Sequence, residues 1–155
     1  TFCGILAAVY AALTICTSAI SYGQVQFRLA EALCILPYFN PVSTIGLTLG
    51  CLIANLFSTV SALDIIVGTA ATLLACLLVQ RCRKPALAPL PVVLVNAILV
   101  GAEIAIVSTP DAFWKSFVLF SAQVGGGELA VMYLIGLPLL LLLRKNELGD
   151  RIAKL

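Results

Sequence analysis

Residues 91–108 read PVVLVNAILVGAEIAIVS, and Asn96 and Glu103 are the only strongly polar side chains between Pro91 and Val107. A helix that crosses a bilayer needs about 20 apolar residues, so this run is close to one span in length. A charge at the centre of such a span costs at least about 2.5–3.5 kcal/mol, so Glu103 implies a partner or a task. The rest of the chain has the same character. It is 62% hydrophobic and only 10% charged, whereas a soluble domain carries about 25% charged residues.

Working outward from this stretch, turn-forming residues divide the chain into six apolar segments at roughly 2–21, 26–40, 43–58, 62–80, 91–108 and 116–143. The second is short and has Pro37 near its end, with Asn40-Pro41 as a turn. Ser61 and Asp64 fit a capping box at the start of the fourth. The fold expected is all-α: a polytopic membrane protein of six transmembrane helices, forming a single transmembrane domain over 1–155. Seven of the nine basic residues lie at 81–84 or after 143, on the side where six spans place both termini. The positive-inside rule then makes both termini cytoplasmic in a cell-membrane protein. The first segment has no basic leader and exceeds a signal-peptide core, so a retained helix is expected, with the natural start lost because no initiator Met is present.

Charge is scarce enough to be counted singly. Arg28, Glu31 and Asp64 are the only charged side chains among residues 1–80. Three glutamates fall inside segments: Glu31, Glu103 and Glu128, the last two about 18 Å along their helices at about 1.5 Å per residue. Arg28 and Glu31 are spaced i,i+3 and are expected to pair on their own helix. Glu103 and Glu128 have no basic partner in the sequence, since Lys115 sits at the rim beside Asp111. Either they are carried neutral as helix–helix contacts, or a small, donor-rich cation completes them in the outer half of the bundle. Asn55 and Asn96 are further buried polar candidates, serving either a ligand or plain interhelical hydrogen bonding. Asn96 shares a face with Glu103 at i,i+7. Gly125–Gly127 either admit a close approach or mark a break in the helix.

Several chemistries are excluded or disfavoured. There is no histidine, and the six cysteines contain no CxxC pair, so no metal or cofactor is expected and the cysteines are read as packing residues. No phosphate-binding GxxxxGK[ST] occurs, so the chain does not couple ATP itself. Without a nucleophile and base pair, no enzyme is expected. The economical reading is a substrate-binding membrane subunit that draws its energy from a partner. Ala7xxxAla11 and Ala8xxxAla12 permit close helix contact; on spacing alone, packing within the chain's own bundle is the favoured use.

YGQVQFRLAEAL (22–33), GCLIANLFS (50–58), LAPLPVVLVNAILVGAEIA (87–105) and GGGELAVMYLIGLPLLLLL (125–143) resemble the QueT family. That family comprises the substrate-binding S components of energy-coupling factor (ECF) transporters. The resemblance covers most of residues 20–143. It implies a six-helix S-component bundle and uptake of a queuosine precursor, 7-aminomethyl-7-deazaguanine or a close relative. It also implies a complex with a membrane coupling subunit and two ATPases, met through Ala7, Ala8, Ala11 and Ala12. The alternatives are an S component for another vitamin or nucleobase, and a ligand-free assembly subunit.

The residues and the implied ligand agree chemically. A 7-deaza base lacks N7, so arginine cannot grip O6 and N7 together. A carboxylate, an acceptor only, can instead take N1–H and the exocyclic amine in parallel, and the aminomethyl cation wants a second carboxylate. Glu103 and Glu128 are the carboxylates expected to meet these needs, with the assignment of each left open. Glu31 and Arg28 complete the wall. Gln24 and Gln26 offer amides to O6 or the ring N–H, and Tyr22, Phe27 and Trp114 are candidates to stack on the ring, although interface anchoring is the stronger reading of Trp114.

Overall fold

A backbone withdrawn from water must satisfy its own N–H and C=O groups, and helices do this locally. The computed structural model describes residues 2–17, 27–57, 62–146 and 148–154, with no strand among them. In chain order the elements are α1 (Phe2–Cys16), a 3₁₀ helix (Leu29–Tyr38), α2 (Ser43–Asn55), α3 (Asp64–Val79), α4 (Pro89–Ser108) and α5 (Phe113–Val131). A π turn (Met132–Gly136) then leads into α6 (Leu137–Lys145), followed by α7 (Leu148–Ile152). Short 3₁₀ turns at Pro85–Leu87 and Pro110–Ala112 precede α4 and α5.

Successive helices pack side by side as α1–α2, α2–α3, α3–α4 and α4–α5. Glycine sets the first contact: a Cβ at Gly46 would lie 2.7 Å from the carbonyl oxygen of Cys3, and one at Gly50 2.8 Å from that of Ala7. Such small-residue stripes let apolar helices approach closely without a hydrophobic driving force between them. The 3₁₀ helix lies within the bundle, touching α1 to α6 and the π turn. Glu31, Cys34, Ile35 and Leu36 on it are buried. The outer surface is apolar, with Ile45, Ile66, Leu94, Ile98 and Leu119 more than half exposed. Water does not favour such a surface; lipid does.

One end of the bundle is tied by hydrogen bonds that run between elements. Gln80 donates to Thr44 at 2.6 Å, Asn40 to the carbonyl of Ile152 at 2.8 Å, and Tyr38 to that of Arg83 at 3.3 Å. Seven basic residues (Arg81, Arg83, Lys84, Arg144, Lys145, Arg151 and Lys154) belong to the segments at this end, all exposed.

Several expectations are revised or narrowed. Among the described residues two helices are long and apolar enough to cross a membrane, Pro85–Ser108 and Pro110–Lys145, while Phe2–Cys16, Leu29–Tyr38, Ser43–Asn55 and Asp64–Val79 are shorter. Four of the six expected segments are thus shorter than a full span among the described residues, and residues 18–26 and 58–61 beside them lie outside that description. The second segment in particular is a ten-residue 3₁₀ helix containing Pro37, about 20 Å long at about 2 Å per residue. Gly125–Gly127 do not break α5, which runs unbroken through them. The irregularity comes later, at the π turn, where Pro138 lacks an N–H and its ring crowds the carbonyl four residues back. Helix α3 begins at Asp64 with Leu63 at its N-cap; Ser61, the expected cap, lies outside the described residues.

Candidate functional site

The 3₁₀ geometry stacks residues three apart, which places Cys34 directly over Glu31. The Cys34 thiol donates to Glu31 Oε2 at 3.1 Å. Glu31 Oε1 accepts from the Tyr10 hydroxyl of α1 and from Thr72 of α3, the latter at 3.2 Å. Glu31 is thus a fully buried carboxylate held by donors from three elements. Arg28 makes its ion pair with Asp64, reaching both carboxylate oxygens at 3.3 Å. This corrects the expected Arg28–Glu31 pair. The i,i+3 rule describes α-helical neighbours, and Arg28 precedes the 3₁₀ helix in extended backbone, free to turn toward α3.

Glu103 on α4 and Glu128 on α5 are also buried, 3% and 1% exposed. Both oxygens of Glu103 and Oε2 of Glu128 lack a hydrogen-bond partner among the described residues. Buried polar atoms are paired in the great majority of proteins, so these three are exceptions that call for an explanation. Their helices, α4 and α5, pack on one another and both touch the 3₁₀ helix, and α4 also packs on α3. Among the described residues the interior thus holds four buried carboxylates, from the 3₁₀ helix, α3, α4 and α5, against the one buried guanidinium of Arg28. Such an arrangement can bind a donor-rich cation.

Asn55 Nδ2 donates to the Asp64 carbonyl at 2.8 Å and to Cys51 at 3.4 Å, while its Oδ1 is buried without a partner. Asn96 is buried on the same helix as Glu103, and its Nδ2 is likewise unpaired. Phe27 is 37% exposed and lines an apolar cavity of about 250 Å³ with Leu29, Ala130 and Val131. Trp114 is 77% exposed, in an aromatic group with Phe113 and Phe117; it stands on the surface while the acids are interior. Tyr22, Gln24 and Gln26 lie outside the described residues. The alanine stripe divides: Ala7 and Ala11 are buried, and Ala8 and Ala12 are exposed. Sequence reasoning missed Asp64 as an interior acid, and Tyr10 and Thr72 as its neighbours' donors. For Asp64 the signal was there, in the rarity of charge before residue 80.

The QueT transporter family model matches residues 1–145, essentially the whole helical bundle. The chain belongs to the QueT transporter family. A curated member, the queuosine precursor transporter QueT of Lactococcus lactis subsp. cremoris (strain MG1363), is 45% identical over 71 residues. That match covers 44% of this chain and 41% of the relative's length. No solved structure matches.

Proposed function

We propose that the chain is the substrate-binding S component of an ECF-type importer and takes up a queuosine precursor, 7-aminomethyl-7-deazaguanine or a close relative. The observation that carries this reading is the set of buried oxygens on Glu103 and Glu128 that have no hydrogen-bond partner among the described residues. Family membership and the name of the Lactococcus relative support the same ligand class. One carboxylate accepts N1–H and the exocyclic amine of the base; the second takes the ammonium. Asn55 and Asn96 offer amide donors and acceptors at the periphery, and Gln24, Gln26 and Phe27 close the outer side.

In this reading the chain spans the membrane six times with both termini in the cytoplasm. The exposed Ala8–Ala12 face of α1 meets the membrane coupling subunit, which carries the two ATPases. The chain itself needs no nucleotide to bind its ligand.

Purified protein should bind the aminomethyl base in the absence of ATP. Hydrogen bonds to charged groups contribute about 1.5–3 kcal/mol each, so losing a carboxylate that accepts two costs about 3 kcal/mol or more, over a hundredfold in affinity. Calorimetric titration of Glu103→Gln and Glu128→Gln should show losses of at least about tenfold. Unchanged affinity in both variants removes the site. Mass spectrometry of the compound that co-purifies with the protein identifies the ligand directly.

A further inference from the structure

Small residues fix the register of α4 against α5. A Cβ at Gly101 would lie 2.8 Å from Ser121 Cα, and one at Gly125 3.2 Å from Ala97 Cβ. Both contacts fit a single antiparallel register, with Gly101 level with Ser121, Ala97 with Gly125, and Leu94 with Glu128. Asn96 is then about 3 Å from the level of Glu128, at about 1.5 Å per residue, and Glu103 about 13 Å from it, toward Ser108. Asn96, Val100 and Glu103 are buried along one face of α4, and Val124, Glu128 and Val131 along one face of α5. Both helices touch the 3₁₀ helix.

Asn96 and Glu128 therefore share one level of the interior, yet Asn96 Nδ2 and Glu128 Oε2 are each buried without a partner among the described residues. A buried donor and a buried acceptor left open at one level call for a third group that meets both. That group presents an acceptor beside a donor. The lactam edge of a guanine-type ring does so, with O6 next to N1–H, whereas an ammonium is donor only and would leave Asn96 Nδ2 unmet. Glu103, at its separate level, leaves both oxygens open; an acceptor-only carboxylate suits an ammonium. We propose that Asn96 and Glu128 read the lactam edge of the base, Asn96 donating to O6 and Glu128 accepting N1–H, and that Glu103 holds the ligand's ammonium. This rests on the reading of the chain as a deazaguanine-binding subunit and makes Asn96 a specificity-determining residue of that site.

The test titrates three probes into the full chain in detergent. They are 7-aminomethyl-7-deazaguanine, 7-deazaguanine without the amine, and the aminomethyl compound with an amino group replacing O6, whose ring nitrogen N1 carries no hydrogen. The wild type should prefer the first probe to each of the others. In Asn96→Leu and Glu128→Gln the preference over the 6-amino probe should collapse by about tenfold or more, while the preference over 7-deazaguanine persists. In Glu103→Gln the opposite split should appear. Asn96→Asp, which puts an acceptor where the amide donor was, should shift preference toward the 6-amino probe. The reversed split overturns the assignment, and so does an equal loss for all three probes in every variant, which is what a purely structural role gives. A wild type that binds the three alike sinks the two ends of the site while the deazaguanine reading stands. A wild type that binds none sinks both.

Discussion

At the residue scale, the protein is organised by how few charges it carries. Arg28 is 2% exposed and Asp64 fully buried, and the two form an ion pair at 3.3 Å. Removing one partner of a buried pair strands the remaining charge, at a cost of about 3–5 kcal/mol, whereas replacing both with apolar side chains is often nearly neutral. Arg28→Met and Asp64→Leu should each lower the unfolding midpoint of the ligand-free protein strongly. The double variant should recover most of the loss, and a thermal melt in detergent reads the difference. This pair was not legible in the sequence. The two residues are 36 positions apart, and the nearer acid, Glu31, offered a local alternative that the 3₁₀ backbone withdraws.

At the element scale, α1 has one buried and one exposed face. Ala7 is buried against α2, where Gly50 leaves no room for a side chain; Ala8 and Ala12 are exposed. Gly50→Val forces a Cβ to within 2.8 Å of Tyr10 Cβ and the Ala7 carbonyl oxygen. Overpacking of this kind costs about 1–3 kcal/mol, and unfolding of the isolated chain should show it. Ala7→Leu should likewise destabilise the isolated chain. Ala8→Leu and Ala12→Leu should leave its melting unchanged but abolish co-purification with the coupling subunit; retained co-purification would place the partner elsewhere. The alanine spacing was visible in the sequence, but both registers fitted it equally. Only the position of α2 separated them.

At the scale of the whole molecule, seven of the eight exposed cations among the described residues, all but Lys115, gather at the end that also holds the turn at Asn40 and the helix Leu148–Ile152. With that end in the cytoplasm, a membrane-impermeant thiol reagent applied to intact cells should miss a lone Cys82. It should label Lys115→Cys in a background whose other cysteines are serine; the reverse pattern inverts the topology. Burial pushes the Cys82 thiol above its ordinary value. The thiolate is the reactive form, so labelling of Cys82 after permeabilisation should grow as pH rises through 9 rather than level off near neutrality.

The sequence by itself determined that this is an all-helical chain for an apolar surround, because length, hydrophobicity and missing charge act through composition alone. It also marked Glu31, Glu103 and Glu128 as interior acids, since an ionisable residue inside an apolar run is conspicuous wherever the run folds. Tertiary structure decided that Asp64 joins them, that Arg28 crosses to α3, and that Tyr10 and Thr72 hold Glu31. It also decided that the second segment is a short buried 3₁₀ helix. The physical reason is common to all four. Each depends on which elements meet, and an ion pair or hydrogen bond between elements distant in sequence leaves no periodicity to read.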